Sequence, residues 1–303
     1  MSFELVILGS GAALPTGKRK PTAQYINCNE RHILIDCGEG TQNQLRKFGI
    51  KLQKIKYIFI SHLHGDHYFG LMGLLSTMNL LGRTQGIKLF APEPLKEIID
   101  LQLKASGHHY EFNLEFIATN PSEKHLLFED KIIEIYSFPL KHRIPTTGFL
   151  IQEKVKDFTI LGEELEEANL SLQAIPFFRR GEDYTDEKGK TFLAEDFTLP
   201  PKAPKSYAYC SDTAYLESLI DIVQDSNLMY HEATFIEKHK DRAKATLHST
   251  AIQAATIAKK AKVNKLLLGH FSSRYDGTDT HLQEAKTVFE NSFAVEDGDR
   301  YFI

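Results

Sequence analysis

Tyr57-Ile58-Phe59-Ile60-Ser61-His62-Leu63-His64-Gly65-Asp66-His67 sets the frame for the whole chain. It opens on an apolar run with the character of a buried strand. It then supplies His62, His64, Asp66 and His67 within six positions. In extended backbone, side chains two apart share a side, so His62 and His64 can reach one ion. Gly65 permits a sharp turn, after which Asp66 and His67 face a neighbouring point at the start of a helix. Imidazole nitrogen and carboxylate oxygen are ligands for borderline-soft divalent metals, and a set that divides into two groups suggests two ions. The chemistry this predicts is two-metal hydrolysis. Polar turns gather histidines by chance, but four potential ligands directly after an apolar strand exceed what a solvated loop needs.

At 303 residues the chain is long enough for one large α/β domain or two smaller ones. Its hydrophobic and charged fractions, 42% and 25%, are those of an ordinary globular protein. No apolar run reaches the length of a membrane span, and Met1 to Gly11 leads straight into a strand rather than a cationic leader. A cytoplasmic protein without membrane contact is therefore expected. Cys28, Cys37 and Cys210 form no C-x-x-C pair, which disfavours a disulfide framework and a thiolate zinc site alike. The net charge of -4 supplies no global basic field, so binding of nucleic acid would rest on local patches.

Phe3 to Leu8 reads as a strand running into Gly9-Ser10-Gly11-Ala12-Ala13. This is no dinucleotide fingerprint, because the glycine spacing is incomplete and Pro15 falls where a helix would begin. Pro15 to Thr22 is a loop carrying Lys18, Arg19 and Lys20, which a solvated turn would also explain. A hairpin over 24–27 and 32–36 turns at Asn29-Glu30, and a helix extends to about Phe48. Asp36 is either a helix cap or a partner orienting a metal-bound histidine. Helices over 69–81 and 94–105 and strands over 88–91, 112–117, 132–138 and 147–151 follow, with His142 after the third of these strands. From Glu153 to Lys205 clustered charges and prolines mark an insertion projecting from the body, with one short helix near 163–172. Arg179, Arg180, Lys188 and Lys190 offer it a basic tip, although acids outnumber bases across the segment. Three further apolar strands then each deliver a reactive residue at the C-terminal end: 206–210 leads to Asp212, 228–230 to His231 and Glu232, and 265–269 to His270. In α/β folds ligands bind beyond such strand ends. His248-Ser249-Thr250 precedes a helix over 251–261; Ser249 or Thr250 can cap it, whereas His248 has no capping role.

His62-Leu63-His64-Gly65-Asp66-His67 resembles the signature of the metallo-β-lactamase superfamily, and His142, Asp212 and His270 come in the order of its remaining ligands. Within that superfamily, His231-Glu232-Ala233-Thr234, His248-Ser249-Thr250 and His270-Phe271-Ser272-Ser273-Arg274-Tyr275 resemble the ribonuclease Z family of tRNA 3′-processing endonucleases. The resemblance implies an α/β (α+β) protein: a four-layer αββα sandwich forming one domain over residues 1–303, with an inserted arm at 153–205. It implies two zinc ions, with manganese or iron also compatible. One ion would be held by His62, His64 and His142 and the other by Asp66, His67 and His270, with Asp212 bridging. It implies a homodimer acting on precursor tRNA, whose elbow the arm would grip. Lys18, Arg19, Lys20, Arg179, Arg180 and Arg274 are the expected RNA contacts. The arm departs from the family in lacking a Gly-Pro motif, having Ile175-Pro176-Phe177-Phe178-Arg179-Arg180 instead.

The expected reaction is an in-line attack by an activated water, with Asp66 accepting its proton and His248 protonating the leaving O3′. Glu232 would orient His248 and raise its pKa, unless it only pairs with a surface cation such as Arg242 or Lys244. The cut would fall after the discriminator nucleotide, leaving a 3′-OH on the tRNA and a 5′-phosphate on the trailer. The competing function is a hydrolase of a small phosphodiester or other ester, which shares the ligands but has no use for the arm or the Lys18–Lys20 loop. A non-catalytic RNA-binding protein is disfavoured by the intact ligand positions.

Overall fold

The computed structural model describes residues 3–303. Its frame is a pair of seven-stranded sheets. The first is ordered 300–302, 3–9, 23–28, 31–35, 57–59, 87–91 and 114–118. The second is ordered 292–294, 266–269, 228–232, 206–210, 146–153, 133–140 and 125–129. The expected hairpin turns through Asn29 and Glu30 at φ 49° and 65°, the left-handed pair that a tight antiparallel turn demands. From Arg31 onward the first sheet runs parallel, and so do the four strands from 206–210 to 292–294 in the second. Parallel strands finish on the same side, so each sheet gathers its C-terminal strand ends along one edge.

Alternation along the strands builds the layers. Val6, Leu34, Ile58 and Leu89 pack with Leu45, Leu74 and Met78 of the helices Thr41–Lys47 and Leu71–Leu80. Phe59 points the other way, stacking on Phe90 at 4.4 Å and meeting Phe149 of the second sheet at 5.2 Å. Tyr209 continues that inner layer, 6.4 Å from Phe149 and 5.2 Å from Tyr230. Helices Ala251–Lys260 and Asp279–Lys286 pack on the second sheet. The layers are therefore helix, sheet, sheet, helix.

Residues 130–133 and 152–204 form a second unit. Its own core is Ala174, Phe178, Tyr184, Ala194 and Phe197, with Phe178 stacked on Phe197 at 5.1 Å. Two short ladders, 159–160 with 198–199 and 184–185 with 191–192, hold it together. Besides the four-residue helix Ala194–Phe197, the unit holds the short helix expected near 163–172, observed as Gly162–Glu167, and a further one at Ile175–Arg179. Asn169, at φ 51°, lies in the turn between the latter two.

Candidate metal centre

The reactive residues emerge together at the edge where the strands end. His62 follows the strand Tyr57–Phe59, His142 follows Ile133–Leu140, Asp212 follows Ser206–Cys210 and His270 follows Leu266–Gly269. His64 precedes the helical turn Gly65–Tyr68, which carries Asp66 and His67.

These side chains form two groups. In the first, His62 Nε2 and His142 Nε2 lie 3.1 and 3.2 Å from His64 Nδ1, and each is 3.6 Å from Asp212 Oδ2. In the second, His67 Nε2 and His270 Nε2 are 3.3 Å apart, with Asp66 Oδ2 at 3.6 and 3.4 Å from them. Asp212 reaches this group through its other oxygen, Oδ1 being 3.4 Å from His67 and 3.2 Å from His270. A tetrahedral ion with ligands at about 2.1 Å sets its donors about 3.4 Å apart, and these edges match it. A carboxylate that divides its oxygens between two such groups has the geometry of a bridging ligand.

Other observations test the fit to metal. Asp212 Oδ1 is buried without a hydrogen-bond partner among the described residues, a costly position for a carboxylate oxygen unless a cation lies against it. His142 Nδ1 donates to the Leu247 carbonyl at 2.9 Å and His67 Nδ1 to Asp36 Oδ2 at 2.8 Å, which leaves each Nε2 for the centre. Burial pushes the His62, His64 and His142 rings below their ordinary pKa, towards the neutral form that ligates. At Asp212 burial opposes the charge, but His270, His67 and His62 outweigh it and hold the carboxyl well below the usual range. At His67 burial opposes a proton, yet Asp212, Asp66 and Asp36 retain it, raising the ring well above its ordinary value. A divalent cation is the charge that would take that proton's place.

Asp36 has the orienting role rather than the capping one. The helix Thr41–Lys47 begins at Gly40 with no side-chain cap, while Asp36 also accepts from Ser61 N at 2.7 Å, Ser61 Oγ at 2.9 Å and Tyr209 OH at 2.6 Å. Ala13, Asp36, Leu247 and His270 have φ of 60°, 56°, 56° and 57°. Such left-handed conformations cost a non-glycine residue about 1–2 kcal/mol each. All four bear on the centre, Ala13 by donating its N–H to Asp66 Oδ2 at 2.7 Å.

Glu232 is fully buried and accepts five hydrogen bonds. Thr213 N, Ser249 N and His248 Nδ1 bind Oε1 at 3.1, 3.1 and 2.8 Å, and Thr234 N and Oγ1 bind Oε2 at 2.9 and 2.8 Å. Its ionic partner is thus His248, not Arg242 or Lys244. Burial would lift the Glu232 carboxyl, but the His248 charge and hydrogen bond hold it below its ordinary value. Burial likewise disfavours the His248 charge, and Glu232 overrides it, pushing the ring up to about 9. His248 lies 4.9 Å from the His142 ring and 5.5 Å from the His270 ring. It also groups with Asp212 and His270, but both of those already belong to the pair of sites, and Glu232 engages its Nδ1. Thr234, whose hydroxyl accepts from His270 Nδ1 at 2.9 Å, links Glu232 to a metal-competent ring. His231 faces away: it is buried and its Nδ1 donates to the Glu232 carbonyl at 2.7 Å. Thr250 caps the Ala251–Lys260 helix in a capping box with Gln253.

A cleft of about 660 Å³ opens over the centre, lined by His64, Asp66, His142, Asp212, His248 and His270. Arg143, Arg242 and Arg274 line it too, exposed and without an ion-pair partner among the described residues. Arg274 was expected there. Arg143 was signalled only by its place after His142, and Arg242 lies on a helix, Lys240–Thr246, that the apolar pattern does not announce. Lys18 is 70% exposed and 3.9 Å from Asp276. Arg19 is engaged elsewhere: its side chain is 11% exposed, 3.0 Å from Glu296 and over the Phe271 ring. Lys20 N is held by Asp297 at 2.8 Å. Arg179 and Arg180 lie in the second unit, where Arg180 pairs with Glu182 at 2.6 Å.

The chain is 41% identical over 305 residues to ribonuclease Z of Parabacteroides distasonis, an alignment covering 99% of each chain. It belongs to the ribonuclease Z family. Among solved structures, the short form of human tRNase Z aligns over 98% of both chains with 27% identity and a TM-score of 0.71. The metallo-beta-lactamase fold protein YhfI of Bacillus subtilis aligns over 100% of both chains with 17% identity and a TM-score of 0.72, a likeness of fold alone. The expected metallo-β-lactamase sandwich is therefore the fold, and a metal-dependent hydrolase is the enzyme class. A family model described as Anti-Pycsar protein Apyc1 matches residues 3–163. That span holds His62, His64, Asp66, His67 and His142, whereas the segments resembling ribonuclease Z lie beyond it. Among the described residues no helix is long and apolar enough to cross a membrane.

Proposed function

We propose that the protein is an endoribonuclease that removes the 3′ trailer of precursor tRNA, cutting after the discriminator nucleotide to leave a 3′-OH on the tRNA and a 5′-phosphate on the trailer. The observation that carries this reading is the 41% identity to a ribonuclease Z over 99% of both chains, which extends past residues 3–163, the span that the Apyc1 model matches. His62, His64 and His142 would hold one ion, Asp66, His67 and His270 a second, and Asp212 both. Zinc is the natural choice for such donors, with manganese or iron compatible. When bound, two divalent ions supply a nucleophile near neutral pH and neutralise charge on the phosphoryl oxygens.

The chain's own residues supply the rest. Asp66, which accepts the Ala13 N–H, would take the proton of the attacking water. His248 gives a proton to the leaving O3′, its tautomer and charge fixed by Glu232. Arg143, Arg242 and Arg274 draw phosphates into the cleft. The chain forms one metallo-β-lactamase domain with residues 153–205 as an inserted RNA-gripping arm, and it works in the cytoplasm as a homodimer of the 34.4 kDa subunit. The test is a 3′-extended precursor tRNA incubated beside bis(p-nitrophenyl) phosphate. A single cut after the discriminator is expected; hydrolysis of the ester alone would instead establish a small-phosphodiester or other ester hydrolase.

A further inference from the structure

We infer that Phe69 is a stacking platform for a nucleobase flanking the scissile phosphate. The inference rests on the endoribonuclease reading and extends it to how single nucleotides are held. Phe69 is 65% exposed although aromatic, and it lines the same cleft as His64 and Asp66. Exposed apolar side chains are common singly, so exposure alone says little. The setting of this one is specific. It follows directly on the turn that carries Asp66 and His67, and its ring lies so close over Gly65 that a Cβ there would come within 2.3 Å of it. The Tyr68 ring meets it edge-on at 5.0 Å, which steadies the ring beside the centre while most of it stays open.

The charges around it select the occupant. Arg143, Arg242 and Arg274 offer phosphates within the cleft guanidinium groups that have no ion-pair partner among the described residues. A strand drawn in by its phosphates must unstack its bases near the centre, and an open aromatic face is what an unstacked base takes up whatever its identity. A small ester anion would use the cations and leave the ring bare. Phe69 is thus a positioning residue for single-stranded RNA at the cut, indifferent to sequence.

Phe69→Leu keeps an exposed apolar side chain but removes the π face, and Phe69→Tyr keeps both. With precursor tRNA, Phe69→Leu should lower kcat/KM about tenfold or more, chiefly through KM, with metal content unchanged and Phe69→Tyr near wild type. An abasic nucleotide on one side of the cut should cost the wild type a similar factor and cost Phe69→Leu nothing further. Undiminished cleavage by Phe69→Leu, loss of its metal, or abasic and Phe69→Leu effects that multiply on both sides of the cut would each overturn the assignment. A wild type that leaves precursor tRNA uncut would refute the endoribonuclease reading itself, and this inference with it.

Discussion

His248 and Asp36 act on the same centre by different routes, and substitution separates them. His248 is bound to Glu232 at 2.8 Å, and on the proposed mechanism its removal takes away a proton donor rather than a ligand. His248→Ala should therefore cut the cleavage rate roughly 100-fold or more while elemental analysis finds the metal retained. Metal lost along with activity would make His248 a ligand after all. Asp36 touches no ion directly but accepts the proton of His67 Nδ1, which Asn cannot do while also holding Ser61 and Tyr209. Asp36→Asn should weaken metal affinity by about 10- to 100-fold in chelator competition. An unchanged affinity would leave Asp36 a purely structural group. At this scale the side chains that converge were legible because imidazoles and carboxylates at strand ends have few other uses. Ala13 and Leu247 were not, since any residue offers a main-chain N–H or C=O and only the folded backbone shows which one arrives. Nor could the Lys18-Arg19-Lys20 run reveal that Glu296, 277 positions away from Arg19, would claim its guanidinium.

Strands buried on both faces announce themselves as continuous apolar runs, which is why those ending at His62, Asp212, Glu232 and His270 were readable. The strand His125–Glu129 is largely exposed and the helix Asp279–Lys286 largely polar, so neither shows a period. That helix nonetheless buries His281, 4.7 Å from the Tyr275 ring and 5.1 Å from Phe271. Burial, aided by the Arg19 charge, pushes this ring down to about 4. An unfolded histidine titrates near about 6.5, so between these values the unfolded chain binds a proton that the folded chain refuses. Its contribution to stability is complete above about pH 6.5 and is lost as pH falls through about 4, amounting to on the order of 3 kcal/mol. His281→Leu should accordingly show a smaller drop in melting temperature than the wild type between about pH 7 and pH 4.5. Parallel drops in the two proteins would mean that other groups carry the acid sensitivity.

For the whole molecule, length and composition allowed one domain or two, and the insertion was visible only as a change of character between regular segments. Its internal core was not, because Phe178, Tyr184 and Phe197 are spaced without a period. A net charge of -4 obliges RNA affinity to come from local cations, and these divide between two places. The second unit carries more acids than bases, and Arg180 is already paired with Glu182, whereas Arg143, Arg242 and Arg274 in the cleft have no ion-pair partner among the described residues. The salt dependence of tRNA binding should therefore arise mainly in the cleft. Each phosphate neutralised contributes about 0.7–0.9 to the slope of log affinity against log salt, so Arg143→Ala with Arg242→Ala should flatten it by about 1.5. The flanking strands Thr146–Glu153 and Ser206–Cys210 are neighbours in the second sheet, so a short glycine-serine linker can replace residues 155–203. If the arm grips the tRNA elbow as proposed, that deletion should lower precursor tRNA cleavage by roughly tenfold or more, spare bis(p-nitrophenyl) phosphate hydrolysis, and keep most of the salt slope. A slope that vanished with residues 155–203 and survived loss of the two arginines would place the phosphate contacts in the arm, against the balance of its charges.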